Sequence, residues 1–292
     1  MEIKKVGVIG AGMMGAEIAL CFARAGIETI LGDISKEIAD KGKEKQLMIL
    51  DKSIKKGKLD PSKKNEILSK VQTTGDLKDM ADCDFIVEAV LEVFEIKSKI
   101  YKQLDEICKP ETIIASNTSS ISITKLASGV SKERAKNFIG THFNSPASVM
   151  KLVEVIPALL TSEECIENTM ALLETIEKEA VKCKDVVGFG LNRLFHAFYI
   201  EACRLVEEGV CSVEDVDKIC LYGLGHPMGI FKLLDLTGHD LNMKVDEILF
   251  EAYGERFRPS PVIQRLVDSE MLGRKSNIGF YDYNQDKPKP SF

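Results

Sequence analysis

Val6-Gly7-Val8-Ile9-Gly10-Ala11-Gly12-Met13-Met14-Gly15, close to the start of the chain, decides how the rest is read. Val6 to Ile9 has the composition of a short buried strand, and Ala16 to Ala25 follows as an apolar helix closed by Gly26. Between them the spacing Gly-x-Gly-x-x-Gly has a mechanical meaning. Gly10 permits a tight turn, Gly12 lets the backbone approach a pyrophosphate, and Gly15 lets the helix pack closely on the strand. Met13 and Met14 fill the remaining places at the helix entrance, where unpaired N–H groups favour an anion. A second strand, Glu28 to Leu31, leads to Asp33, 18 residues beyond Gly15. A carboxylate there accepts hydrogen bonds from both hydroxyls of an adenosine ribose and repels a 2′-phosphate. The expected cofactor is therefore NAD and not NADP, with Gly10, Gly12, Met13, Met14, Gly15 and Asp33 against it.

Outward from this unit, β-branched runs alternate with helical patterns. Asp84 to Val87 and Thr112 to Ala115 read as strands, and Ile96, Ile100, Leu104 and Ile107 share one helix face between them. Asn137 to Thr141 and Met150 to Ile156 extend the sheet, and a helix follows from Ser162 to about Lys178. This rhythm predicts an α/β, Rossmann-type, mostly parallel sheet over residues 1–185. From residue 186 the pattern turns helical, as in Leu191, Leu194, Phe195, Phe198, Ala202 and Leu205, predicting an all-α second domain over 186–292. Ser212 and Ser260-Pro261 mark helix starts there, and Asp286 to Phe292 reads as a loose tail.

The 292 residues are 45% hydrophobic and 29% charged, the mix of a globular chain of two domains. No stretch offers the roughly 20 unbroken apolar residues of a membrane span, and the N-terminus carries no secretory cleavage pattern. Eight scattered cysteines without a Cys-x-x-Cys pair read as reduced thiols, so a cytoplasmic protein without a metal site is expected. A net charge of −6 argues against a general nucleic-acid binder. Against that total, Lys36 to Glu66 holds ten lysines and six acids, in what reads as an inserted helical pair. On charge pattern alone, Lys52, Lys55, Lys56 and Lys58 fit a solvated helix end as well as a phosphate site.

His142 ends a strand and enters the loop Asn144-Ser145-Pro146, at the sheet edge where α/β proteins keep their chemistry. In Lys151-Leu152-Val153-Glu154-Val155-Ile156 the alternation puts Glu154 on the face of Leu152 and Ile156. A carboxylate there needs a partner, and His142 is the nearest; together they would make a general base. A satisfied structural histidine beside an edge-strand glutamate is the bland alternative, and the dinucleotide loop tells against it. Ser116-Asn117-Thr118-Ser119-Ser120 follows a strand and should lie by the nicotinamide, unless it is an ordinary loop and cap. Asn192, by itself, fits a helix cap. His196, His226 and His239 read as structural.

The chain resembles the short-chain 3-hydroxyacyl-CoA dehydrogenases, in particular bacterial 3-hydroxybutyryl-CoA dehydrogenases, over almost its whole length. The resemblance is carried by Val8 to Gly15, Ala115 to Ser120, Val149-Met150-Lys151-Leu152-Val153-Glu154, Gly188-Phe189 with Asn192-Arg193, His226-Pro227-Met228-Gly229, Leu272 to Ser276, and Gly279-Phe280-Tyr281-Asp282-Tyr283. It implies that His142 is the catalytic base, Glu154 its orienting partner, and Ser119 and Asn192 the groups holding the substrate oxygens. Cofactor positions then fall on Asp33, Glu92, Lys97 and Asn117, and coenzyme A contacts on Lys52 and Lys56. The implied activity interconverts short-chain (S)-3-hydroxyacyl-CoA and 3-ketoacyl-CoA, with a helical second domain forming the substrate cleft and a homodimer interface. The chain departs from the family pattern at Asn144-Ser145, Val187 and Asn277-Ile278. Two other readings are a dehydrogenase of a carnitine- or gulonate-like 3-hydroxy acid on the same fold, and a non-catalytic dinucleotide-binding protein.

Overall fold

The computed structural model describes residues 1–291, which divide into two compact units, residues 1–189 and the described residues from 190 onward. In the first, β1 (Lys5–Ile9), α1 (Met13–Arg24) and β2 (Glu28–Gly32) lead into α2 (Lys36–Lys55), α3 (Lys63–Ser69) and β3 (Val71–Thr74). Then come β4 (Phe85–Glu88), α4 (Phe94–Ile107), β5 (Ile113–Ser116), α5 (Ile123–Ala127), β6 (Phe138–Phe143), β7 (Leu152–Pro157), α6 (Glu163–Thr175) and β8 (Glu179–Lys182). The eight strands form one sheet in the order β3-β2-β1-β4-β5-β6-β7-β8. All neighbours are parallel except β6 and β7. Strand order reverses between β1 and β4, and such a switch point opens a crevice at the carboxyl ends of the strands.

The sheet core is Val6, Val8, Phe85, Ile86, Val87, Ile113 and Ile114, each at most 1% exposed, as expected of strands covered on both faces. Helix α1 begins at Met13, inside the glycine loop, so Met13 to Gly15 make its first turn. Gly42 lets α2 lie close against the glycine loop and β2, since a Cβ there would press on Ala11 and Leu31. Two short strands escape the sequence reading: β3, and β8, whose Glu179-Ala180-Val181-Lys182 is largely exposed at the sheet edge and lacks a buried run.

The division after Phe189 assigns Val186 to Phe189 to the first unit, beyond the expected boundary at 185, because Phe189 is buried there with its ring 5.6 Å from that of His142. The second unit contains α7 (Leu191–Glu207), α8 (Val213–Lys218) running into a π-helical turn, α9 (Ile230–Thr237), α10 (His239–Tyr253) and α11 (Pro261–Asp268). It departs from all-α in one hairpin, β9 (Tyr281–Asp282) with β10 (Lys289–Pro290). The C-terminal segment is thus not a loose tail as far as Ser291, whose N–H donates to the Phe280 carbonyl. Two buried carboxylates organise this end. Asp235 accepts from the N–H groups of Phe280 and Tyr281, from His239 Nε2 and from the Tyr283 hydroxyl. Asp217 accepts from the Phe231 N–H and the Tyr281 hydroxyl. A Cβ on Gly279 would overlap the first carboxylate and one on Gly229 the second, which explains both glycines. No helix among the described residues is long and apolar enough to cross a membrane.

Candidate active site

The glycine loop leaves β1 at the switch point. Gly10 has φ +100°, and a Cβ on it would stand 2.5 Å from the Ala89 carbonyl; a Cβ on Gly15 would overlap the Gly10 carbonyl oxygen. A Cβ on Gly12 would meet nothing, so the open side of the loop is at Gly12. The first turn of α1 has no side-chain cap and no acid, and Met13 is 68% exposed, so its N–H groups face outward. Asp33 closes one side, its Oδ2 accepting from the Ala11 N–H at 2.6 Å. Beside it lies a cleft of about 690 Å³ lined by Asp33, Ile34, Leu77, Val90, Ile96 and Ile100 among others. Apolar walls next to a carboxylate suit an adenosine. Lys45, which the sequence reading passed over, reaches the same loop and donates to the Ala11 carbonyl at 3.2 Å.

On the other side of the switch point, Asn117 follows β5 directly, and its side-chain oxygen accepts from the Phe143 N–H at 2.9 Å, tying it to the end of β6. Ser119 is exposed, with its N–H donating to Glu92 Oε1 at 3.0 Å. Glu92 also takes the hydroxyls of Thr118 and Ser120. Partial burial would raise its carboxyl, but Lys97 and these donors outweigh it and hold the group below the usual carboxylate range. Lys97, 1% exposed, is wedged between Glu88 at 2.7 Å and Glu92 at 3.2 Å. Its ammonium is committed to two carboxylates, a placement that its spacing alone does not show.

His142 and Glu154 are direct partners across the antiparallel β6–β7 pair, with Nδ1 2.8 Å from Oε2. Glu154 is 2% exposed, and its other oxygen accepts from the Cys183 thiol at 3.4 Å. A buried carboxylate takes the Nδ1–H, so the basic lone pair of the neutral ring lies on Nε2. The ring is itself only 12% exposed and packs near Phe189.

Two family models cover this chain. Residues 5–186 match the 3-hydroxyacyl-CoA dehydrogenase NAD binding domain, and residues 188–283 match the C-terminal domain of the same enzymes. The chain belongs to the 3-hydroxyacyl-CoA dehydrogenase family. A protein from Deinococcus radiodurans named probable 3-hydroxybutyryl-CoA dehydrogenase is 42% identical to this dehydrogenase, over 96% of this chain and 100% of that one. The 3-hydroxybutyryl-CoA dehydrogenase of Clostridioides difficile is 39% identical, over 96% and 100%. The crystal structure of (S)-3-hydroxybutyryl-CoA dehydrogenase from Ralstonia eutropha superposes with a TM-score of 0.90 at 37% identity, covering 97% of this chain and 100% of that one.

NAD is the cofactor of this dehydrogenase, and the residues fit it: an uncapped helix start, an open Gly12, a carboxylate for the ribose and an apolar cleft beside it. Of the remaining candidates, Asn192 lies in the first turn of α7 in the second unit; Gly190 occupies the N-cap, so Asn192 does not serve as the cap. Lys52 and Lys56 are exposed at the end of α2. Helix α2 runs alongside α1 in the same direction, with Gln46 donating to the Ala16 carbonyl and Arg24 to Ser53 Oγ. These lysines therefore stand level with Arg24, about 16 Å along α1 from the glycine loop. A basic pocket of about 480 Å³ lies there, lined by Arg24, Ser53, Lys58, Lys63, Lys70 and Ser148 among others. Arg24 Nε is buried without a hydrogen-bond partner. Arg24, Lys63 and Lys70 were not legible as a group, since they come from three separate segments.

Proposed function

We propose that this dehydrogenase interconverts short-chain (S)-3-hydroxyacyl-CoA and 3-ketoacyl-CoA, with 3-hydroxybutyryl-CoA as its representative substrate. The observation that carries the reading is the His142–Glu154 pair at 2.8 Å, placed at the carboxyl edge of a sheet whose first loop is built for a dinucleotide. In oxidation, His142 Nε2 takes the proton of the 3-hydroxyl; in reduction the imidazolium returns it. Glu154, fixed through Nδ1, holds the ring in the reactive orientation and stabilises the imidazolium. The bound nicotinamide supplies the hydride acceptor for one direction and the donor for the other. The exposed Ser119 hydroxyl donates to the substrate oxygen as its charge changes.

The basic pocket at Arg24 favours a coenzyme A ester over a 3-hydroxy acid without phosphates, because its lining places Arg24, Lys58, Lys63 and Lys70 against a single acid, Glu66. Lys52 and Lys56 join this surface as long-range cations. Exposed apolar side chains of the second unit, Tyr222 at 86% and Leu194 at 75%, support a homodimer formed through that unit, to be measured by sedimentation.

The deciding assay follows the loss of NADH absorbance with acetoacetyl-CoA and, in parallel, with free acetoacetate. Turnover of the thioester with little of the free acid is expected. Equal turnover of both would remove coenzyme A from the reading, and no turnover of either would overturn it.

A further inference from the structure

The loop from Ser116 to Ser120 is held by two carboxylates that share one ammonium. Glu88 is 0% exposed at the carboxyl end of β4, in register with Ile9 just before the glycine loop and with Ser116 just before Asn117. Its carboxylate is fully subscribed. Oε1 accepts from Lys97 Nζ at 2.7 Å and the Val90 N–H at 2.7 Å; Oε2 accepts from Ser116 Oγ at 2.9 Å and from the Tyr101 hydroxyl. Lys97 passes on to Glu92, whose Oε1 takes the N–H groups of Ser119 and Ser120 and the hydroxyls of Thr118 and Ser120. The backbone of the same residue joins in, since the Glu88 carbonyl accepts from the Asn117 N–H and the next N–H, of Ala89, donates to Ile9.

A buried ion pair is a poor way to add stability, because apolar side chains of similar volume do as well or better. It is a good way to specify position, since four donors, from α4, β5 and the segment after β4, must converge for the charge to be tolerated. We propose that Glu88, with Tyr101, is a positioning residue for the reaction: through Lys97 and Glu92 it fixes the Asn117–Ser120 loop, and with it the Ser119 hydroxyl and the Asn117 amide. The inference rests on reading Ser119 as the donor to the substrate oxygen. Burial and the neighbouring carboxylate push the Tyr101 phenol well above its ordinary value, so it remains a donor throughout the working pH range. Both side chains lie beneath the loop and touch neither substrate nor cofactor in this role.

The test uses the full chain with Glu88→Gln, which keeps shape and removes charge, and Tyr101→Phe, which removes one donor of four. Thermal unfolding first confirms that each variant is folded. Steady-state kinetics with acetoacetyl-CoA should then show kcat lower by about 10- to 100-fold in Glu88→Gln and by a smaller factor in Tyr101→Phe, the loss in kcat exceeding any rise in KM for NADH. Hydrogen exchange without substrate should show the amides of Ser119 and Ser120 exchanging faster in Glu88→Gln. Because exchange needs no turnover, a wild-type enzyme inert toward acetoacetyl-CoA would sink the proposed reaction and leave the loop result standing. Wild-type kcat in Glu88→Gln, or unchanged exchange at Ser119 and Ser120 in both variants, overturns the positioning role. So does a loss confined to KM for NADH.

Discussion

His142 and Glu154 face each other as register partners across β6 and β7, and the imidazole Nδ1 stands 2.8 Å from the buried carboxylate. Neither position reaches the other by chance, because antiparallel pairing alone fixes both the distance and the shared face. The two should therefore behave as one unit. His142→Ala is expected to lower kcat by about 10²- to 10⁴-fold while NADH still binds. Glu154→Gln should lower it less, and adding it to His142→Ala should cost much less than it does alone. A double-mutant cycle on kcat measures this, and additive losses with both single variants folded would mean that the pair has no catalytic coupling.

Cofactor choice follows from Asp33, whose carboxylate sits 2.6 Å from the Ala11 N–H at the rim of the adenosine cleft. A 2′-phosphate placed there meets a like charge at a cost of several kcal/mol, so kcat/KM should favour NADH over NADPH by at least about 100-fold. Asp33→Ser should narrow the ratio. Equal use of both coenzymes by the wild type would contradict the placement of the ribose.

The glycines separate binding from folding. Gly12→Ala adds a Cβ that meets nothing, so the melting temperature should hold while NADH affinity, read by fluorescence titration, falls. Gly15→Ala forces a Cβ onto the Gly10 carbonyl and should cost about 1–3 kcal/mol of stability in denaturant unfolding. If Gly12→Ala bound NADH as the wild type does, the backbone at Gly12 would not be where the pyrophosphate approaches.

For the acyl-CoA substrate, the pocket lining predicts that Lys63→Ala with Lys70→Ala raises KM more than Lys52→Ala with Lys56→Ala does. Both effects should shrink as salt is raised, since the Debye length falls to about 10 Å at 0.1 M. KM for acetoacetyl-CoA at low and high salt decides it. A larger effect of the Lys52 and Lys56 pair would move the phosphates out of the pocket and onto the end of α2.

In the second unit, burial raises the Asp217 carboxyl above its ordinary value, outweighing the donors from Phe231, Tyr281 and Lys232. A folded pKa above the unfolded one, about 3.9, means that its contribution is fully present below that pH and lost as pH rises through the raised value. Asp217→Asn has no such loss, so the stability difference should move in favour of the variant between acid and neutral pH. Urea unfolding of both proteins across that window checks the sign, and a parallel pH dependence would show an unshifted Asp217.

Local signals in the chain were enough for the α/β rhythm, the glycine loop with its acid, and the onset of helices after the sheet, because each depends on residues within about 20 positions of one another. The His142–Glu154 pair was also legible, since its members lie 12 residues apart on consecutive strands and a buried carboxylate demands a partner. Tertiary structure alone decided the rest. Lys97 has no local mark of burial; it is enclosed because α4 packs its face over the end of β4 and delivers the ammonium to Glu88. The basic pocket at Arg24 likewise exists only once the end of α1 meets α2 and α3, and β8 finds its place only by pairing with β7. Periodicity reports which face of an element is apolar. Which charged groups converge depends on how the elements pack, and a buried charge is tolerated only where that packing supplies its partners.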